Sequence, residues 1–159
     1  MTRILGIDPG LQKTGWGIIE SKGNSLKYIA SGLIKTNPKA RMSERLATLH
    51  HGVVNVLEEW LPAETAIEET FVNKNPVSTL KLGQARGVLM AAPALQGILV
   101  AEYGANKIKK SVVGAGHAGK GQVEMMIRTL LPACGDIVED EADALAVAIT
   151  HAHYRTAIT

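Results

Sequence analysis

The strongest constraint on the fold lies in the first 35 residues, where three strand-like segments follow one another with only turns between them. The segments run from Arg3 to Ile7, from Gly15 to Glu20 and from Leu26 to Ile34. Turn residues separate them at Asp8-Pro9-Gly10 and at Lys22-Gly23-Asn24. Connections this short join antiparallel neighbours, so the chain is predicted to begin with a three-stranded meander.

Helical signals dominate the rest of the chain. Apolar residues recur at helical spacing from Met42 to Trp60. Asn75 and Pro76 are typical of a helix start, and Pro93 is expected to kink or end that helix. Two more helices are predicted over Gln122 to Leu131 and over Glu139 to Tyr154.

Short strands are predicted between these helices. Thr65-Ala66-Ile67 is one, a segment near Ile98 to Ala101 is another, and Ile108 to Val113 is an edge-strand candidate. A meander followed by alternating helices and strands predicts an α/β fold of three layers, in which helices flank a mixed five-stranded sheet. At 159 residues, we expect one domain spanning residues 1–159.

Charge, cysteine and hydropathy narrow the possible functions. The formal net charge of +2 is too small to indicate a nucleic-acid partner, but lysines dominate residues 70–123 and acids dominate residues 124–143. The single cysteine, Cys134, excludes an internal disulfide and a cysteine-rich zinc site. The N-terminus lacks the layout of a signal peptide, and no apolar run is long enough to span a bilayer. We therefore expect a cytoplasmic protein without a membrane partner.

Two carboxylates are predicted at the ends of neighbouring strands. Asp8 ends the first strand, although Asp is also a common first residue of a turn. Glu68 ends the strand at residues 65–67, although a solvated strand end is an equally good interpretation. This strand is predicted to lie beside the first, so the Glu68 carboxylate could approach Asp8 from the same rim of the sheet.

Two more carboxylates begin the last helix. Asp140 and Asp143 are three residues apart, so their side chains share one helix face and can converge on one ion. Acids in a first turn also stabilise the helix dipole, which is the simpler interpretation. Glu139 and Glu141 compete for the same role: the spacing favours the aspartate pair without excluding Glu141.

Acids on separated segments suggest hard divalent cations held by oxygen ligands. The candidate ligands are Asp8, Glu68, Asp140 and Asp143. We expect Mg²⁺, with two ions per site and Mn²⁺ as a substitute. Such a pair could activate a water and stabilise the leaving oxygen in phosphodiester hydrolysis. The carboxylates would be ligands and not nucleophiles.

Two further segments suggest contacts with DNA. The loop Gly114 to Gly121 resembles a phosphate-binding P-loop, but Gly121 stands where a Ser or Thr must bind Mg²⁺. We interpret it as a mobile basic loop in which Lys120 contacts phosphate, with a plain glycine-rich connector as the alternative. Phe71 could stack on an unpaired base, or could instead be a core residue.

Four segments together resemble the RuvC family of Holliday-junction resolvases. They are Gly6-Ile7-Asp8-Pro9-Gly10, Ala66-Ile67-Glu68, Leu80 to Gly87 with its Ala85-Arg86-Gly87, and Glu141 to Ala146. The resemblance implies an RNase H-like fold and a structure-selective endonuclease that nicks two strands of a four-way junction in DNA recombination and repair. It also implies a homodimer, whose two-fold symmetry matches that of a junction, and RuvA and RuvB as partners.

The same resemblance implies roles for individual residues. Asp8, Glu68, Asp140 and Asp143 fall on the catalytic metal-binding carboxylates of the family. Lys109 and Lys120 fall on basic residues near the scissile DNA, and Phe71 falls on an aromatic wedge at the junction.

Three alternatives remain. An RNase H-fold nuclease acting on RNA or on other branched nucleic acid is the main rival. An actin- or sugar-kinase-like ATPase would need two such domains, for which the chain is too short. A non-catalytic junction-binding module is disfavoured, because the clustered carboxylates would repel phosphate unless metal neutralised them.

Overall fold

The computed structural model describes residues 1–69, 74–114 and 119–155, with the backbone alone described at Lys120. Its strands and helices are, in chain order, β1 (Thr2–Asp8), β2 (Lys13–Lys22), β3 (Ser25–Lys35), α1 (Met42–Trp60), β4 (Glu64–Glu68), α2 (Pro76–Leu95), β5 (Leu99–Tyr103), α3 (Ala105–Val113), α4 (Lys120–Leu130) and α5 (Glu139–Arg155), with a 3₁₀ turn at Pro132–Cys134. No helix within these ranges is both long enough and apolar enough to cross a membrane.

The five strands form one mixed sheet in the order β3-β2-β1-β4-β5. β1 pairs with β2 and β2 with β3 in antiparallel fashion, while β4 runs parallel to both β1 and β5. The predicted meander and the predicted mixed five-stranded sheet are therefore confirmed. In this order β1 and β4 are neighbours, so their carboxyl ends meet at the same rim.

Two apolar layers cover the two faces of the sheet. Alternate residues of β1 divide between them: Ile4 packs toward α5, whereas Leu5 and Ile7 pack toward α1 and α2. All three side chains are fully buried. This period of two fixes which face every later residue of the strand occupies. Asp8, in step with Ile4, consequently belongs to the α5 face.

Glycines let α5 lie directly on the strand backbones. A Cβ atom added to Gly6 would lie 2.1 Å from the carbonyl oxygen of Ala144, and one on Gly15 would lie 2.0 Å from that of Asp140. At Gly17 the added atom would lie 2.5 Å from the Leu145 side chain. Any side chain at these three positions would separate helix and sheet. The first turn of α5 is thereby held against the rim where Asp8 lies.

The segment Ile108 to Val113 is part of helix α3, so its prediction as an edge strand was wrong. Its β-branched residues suggested a strand, but Ile108 and Val112 are four apart and are the two buried residues of the helix. Gly104 precedes the helix and Gly114 ends it in the left-handed conformation, with φ of 86°.

The boundaries of α2 and α4 also refine the predictions. The Asn75 side chain accepts hydrogen bonds from the backbone N–H groups of Val77 and Ser78, which confirms the predicted cap of α2. Pro93 does not end this helix at once, since α2 continues to Leu95. α4 begins at Lys120, two residues before the predicted start, and the glycine-rich loop is correspondingly shorter.

Candidate metal centre

A pocket of about 320 Å³ opens at the rim where β1 and β4 end. Four carboxylates and one lysine supply its charged lining, and the rest is small or apolar. Its lining residues are Asp8, Glu68, Lys109, Asp140, Asp143, Ala105, Ile108, Val123 and Ala146. The structure therefore brings together all four acids that the sequence singled out.

Strand register places the first two acids side by side. Ile7 of β1 is paired with Ile67 of β4, and Asp8 and Glu68 are the next residues of the two strands. Both follow residues whose side chains point to the opposite face, so both carboxylates point toward α5. The two carboxyl groups are close enough for the charge and hydrogen bonding of Glu68 to raise the pKa of Asp8.

Helix α5 supplies the second pair of acids from its first turn. Carboxylate oxygens of Asp8, Asp140 and Asp143 all lie within 4.8 Å of one another. Three oxygens at this separation can share a single cation, and the all-oxygen donor set suits Mg²⁺, Mn²⁺ or Ca²⁺ better than zinc or copper.

The electrostatic environment of the pocket favours the protonated form of Asp8. Burial is the largest of several causes that together raise the pKa of Asp8 from 3.8 to about 9. The others are the negative charge of Glu68, a side-chain hydrogen bond with Glu68, and the negative charges of Asp143 and Asp140. Asp8 therefore holds a proton at neutral pH when no cation is bound. A divalent cation would replace that proton and add positive charge among the clustered carboxylates, so the residues present fit a metal ion.

This elevated pKa predicts that the metal-free protein loses stability as pH rises. The unfolded chain releases the Asp8 proton near pH 3.8, whereas the folded protein retains it up to about pH 9. Between these values the folded state binds more protons, so the free energy of unfolding falls with increasing pH. We expect Tm in chelator to decline across this window, and Asp8→Asn to raise Tm near pH 8 by about 3 °C, equivalent to roughly 1 kcal/mol. Thermal melts from pH 4 to pH 9 test this, and a variant no more stable than the parent at pH 8 would contradict it.

The other acids at the start of α5 are engaged elsewhere or exposed. The Glu141 carboxylate accepts hydrogen bonds from the Ser31 hydroxyl and, at 3.3 Å, from the backbone N–H of Val138. It thereby joins the helix start to β3, away from the pocket. Glu139 is exposed on the same turn and does not line the pocket. The geometry thus favours Asp140 and Asp143 over both glutamates.

Of the three side chains predicted to contact DNA, the structure describes that of Lys109. Lys109, on α3, lines the pocket beside the carboxylates. Phe71 lies outside the described residues. Lys120 begins α4, but its side chain also lies outside what the structure describes.

Two features that position the carboxylates were not predicted from the sequence. The first is the glycine contact between β2 and α5, for which several glycines within two strands were an available signal. The second is Arg86, which was used only as part of a family motif. Its Nε atom donates a hydrogen bond to the main-chain carbonyl of Glu68, at 3.0 Å. No pattern in the sequence indicates that contact.

A mixed sheet of this order, with carboxylates gathered where β1 and β4 end, defines a nuclease of the RNase H-like fold. The yeast mitochondrial Holliday junction resolvase Ydc2 has the same fold, with a TM-score of 0.72 at 13% identity over 98% of this chain and 79% of its own. The model of the family "Crossover junction endodeoxyribonuclease RuvC" matches residues 4–151. The chain belongs to the RuvC family.

Individual relatives agree with this family over nearly the whole chain. The RuvC of Rhodopseudomonas palustris (strain BisB18) is 58% identical over 153 residues, covering 96% of this chain and 87% of that protein. The RuvC of Azorhizobium caulinodans is 59% identical over 155 residues, covering 98% and 92%. Among solved structures, T. thermophilus RuvC in complex with Holliday junction substrate has a TM-score of 0.93 at 33% identity, covering 100% of this chain and 98% of that one.

Proposed function

We propose that this protein is a divalent-metal-dependent endonuclease that resolves four-way DNA junctions in recombination and repair. The observation that carries the proposal is the gathering of Asp8, Glu68, Asp140 and Asp143 around one pocket in a chain of the RuvC family. The relative solved with a Holliday junction supports the choice of substrate. We propose that the protein acts in the cytoplasm, where a bacterial DNA substrate would be found.

The four carboxylates are proposed to hold two Mg²⁺ ions, with Mn²⁺ as a substitute. The chemistry that such ions would supply is activation of a water for attack on phosphorus and stabilisation of the leaving oxygen. Asp8 must release its proton when a cation enters, so metal affinity should rise with pH. The fixed rim positions of Asp8 and Glu68 and the fixed helix start carrying Asp140 and Asp143 orient the ligands before substrate arrives.

Three more residues are proposed to contact the junction. Lys109 lines the same pocket as the carboxylates, where its ammonium can pair with the phosphate next to the cleaved bond. Lys120, the first residue of α4, is proposed to bind a neighbouring phosphate. Phe71, three residues after Glu68, is proposed to stack on an unpaired base at the branch point.

We further propose a homodimer formed through the outer face of α2. This face is exposed and combines apolar side chains with small residues, which allow close helix approach: Val77, Leu80, Gly83, Gly87 and Ala91. A Cβ atom added to Gly83 or Gly87 would meet nothing within 4 Å. Two copies related by two-fold symmetry could nick two strands symmetrically. RuvA and RuvB are proposed as partners on the family resemblance alone.

Leu80→Arg should therefore convert a dimer into monomers. Leu80 is 68% exposed on α2, so the monomer fold should tolerate arginine, whereas a buried charge at the interface is costly. We expect the dissociation constant of the dimer, measured by sedimentation velocity, to rise at least tenfold, which is equivalent to about 1.4 kcal/mol. Met125→Arg is the matched control, because Met125 is 65% exposed on α4. Equal dissociation of both variants, or of neither, would contradict the assignment of this face.

The function is tested by cleavage of a labelled synthetic four-way junction beside linear duplex and RNA–DNA hybrid of matching sequence. Each substrate is incubated with Mg²⁺ and with chelator, and products are separated on denaturing gels. Paired symmetric nicks confined to the junction and lost with chelator are the expected result. Cleavage of the hybrid alone would favour a nuclease acting on RNA, and binding without cleavage would favour a junction-binding module.

A further inference from the structure

The end of β4 is held from outside the sheet by an arginine of α2. The registered pairing of β4 with β1 stops at Ile67, so Glu68 lies one residue beyond the paired segment on that side. The Nε–H of Arg86 donates to the carbonyl oxygen of Glu68 at 3.0 Å. This bond fixes the main chain of the residue whose side chain lines the pocket.

The same guanidinium is anchored to the neighbouring strand. Its Nη2 atom forms an ion pair with the Glu102 carboxylate of β5. The Arg86 side chain is 16% exposed, against 42% for Glu102, so the anchor is shielded mainly at its arginine end. On the β5 side, Glu68 is paired with Tyr103, and the Glu69 N–H donates to the Tyr103 carbonyl at 2.9 Å. β5 and α2 thus restrain the chain together where it leaves the sheet.

We propose that Arg86 is a positioning residue for the metal centre, acting through the Glu68 main chain. The inference rests on the proposed function, because it assigns Glu68 as a metal ligand. Arg86 also belongs to the helix whose outer face carries Leu80, Gly83 and Gly87. A displacement of α2 is therefore transmitted to Glu68 through one side chain.

Arginine suits this position because its planar guanidinium donates in two directions at once. Nε reaches the Glu68 carbonyl while Nη2 reaches Glu102. A lysine ammonium carries its three N–H donors on one nitrogen, which cannot occupy both positions, and methionine has no donor. Removing a residue that orients a metal ligand typically lowers metal affinity by about 10- to 100-fold.

The test measures Mn²⁺ binding by the full chain, using the electron paramagnetic resonance signal of free Mn²⁺, together with junction cleavage against metal concentration. We expect Arg86→Lys and Arg86→Met to bind Mn²⁺ about 10-fold more weakly and to need correspondingly more metal for cleavage. Rates at saturating metal should recover, and junction affinity in chelator and molecular mass should match the parent protein. Glu102→Gln, which keeps the bond to Glu68, should shift Mn²⁺ affinity by about threefold or less.

Arg128→Lys is the matched control, since Arg128 lies on α4 near Asp136, at 3.9 Å, outside the pocket. Parental Mn²⁺ affinity in both Arg86 variants would overturn the inference, while the proposed function would survive if Asp8→Asn still abolished cleavage. The inference would also be overturned if the losses of Mn²⁺ affinity and of cleavage in both Arg86 variants were explained by a lowered Tm. Absence of Mn²⁺ binding and of cleavage in the parent protein would instead refute the proposed function.

Discussion

Asp8→Asn is expected to abolish junction cleavage while leaving junction binding intact. The substitution preserves the size of the side chain but removes a charged ligand from the three-oxygen group with Asp140 and Asp143. If the cations contribute several kcal/mol to transition-state stabilisation, weakening their site by about 4 kcal/mol lowers the cleavage rate by ~10³-fold. Junction binding in chelator depends on the basic surface and should change little, because Asp8 is protonated and uncharged when no cation is bound.

The measurement pairs single-turnover cleavage in Mg²⁺ with a mobility-shift titration in chelator. Asp136→Asn is the matched control, because Asp136 is fully exposed and lies outside the pocket. Glu68→Gln should behave like Asp8→Asn, since its carboxylate lines the same pocket. Persistent cleavage by both pocket variants would refute the metal assignment, and loss of binding in chelator would show that the variants had perturbed more than a ligand.

Gly15→Ala is expected to impair the same centre without touching a ligand side chain. Gly15 is paired with Asp8 across β1 and β2, and a Cβ atom there would lie 2.0 Å from the Asp140 carbonyl oxygen. The obstructing atom belongs to the main chain of α5, so no side-chain rotation can relieve the clash. Helix α5 must therefore move outward, carrying Asp140 and Asp143 away from Asp8. A displacement of about 1 Å can cost ~10²-fold in rate, and overpacking costs about 1–3 kcal/mol of stability.

We expect Tm to fall by about 5 °C, cleavage to fall by ~10²-fold or more, and Mn²⁺ affinity to fall with it. The assays are run well below the lowered Tm, with circular dichroism confirming that the variant is folded. Gly121→Ala is the control, since a Cβ atom at that exposed helical glycine meets nothing within 4 Å. Parental metal affinity and cleavage in Gly15→Ala would show that the close contact does not set the ligand positions.

Local patterns predicted the elements that form the site. Turn residues around Asp8 and Lys22 predicted the meander, and the three-residue spacing of Asp140 and Asp143 placed both on one helix face. Adjacency of β1 and β4 followed from the order of elements, and it brought Glu68 beside Asp8. These predictions succeeded because each depends on residues close together in the chain or on one pairing of strands.

Contacts between distant segments could not be predicted in this way. Ser31 bonds Glu141 across 110 positions of sequence, and this contact, together with the hydrogen bond from the Val138 N–H, engages Glu141 away from the proposed ligands Asp140 and Asp143. Arg86 acts on the main chain of Glu68, which leaves no residue-type signature. The error at Ile108 to Val113 has a different cause, since β-branched residues favour strands until tertiary packing selects the four-residue spacing of a helix.

The glycine contact beneath α5 also bears on which ion the enzyme can use. Because helix backbone lies against strand backbone at Gly6 and Gly15, no compressible side chain separates the proposed ligands on the two elements. The cage can expand only if the helix leaves the sheet. Mg²⁺ bonds oxygen at about 2.0–2.1 Å, whereas Ca²⁺ requires about 2.3–2.6 Å and more ligands. We therefore expect Ca²⁺ to bind in the pocket with poor geometry and to support junction binding but not strand cleavage. In that case the main-chain packing of α5 on the sheet selects the ion by its radius.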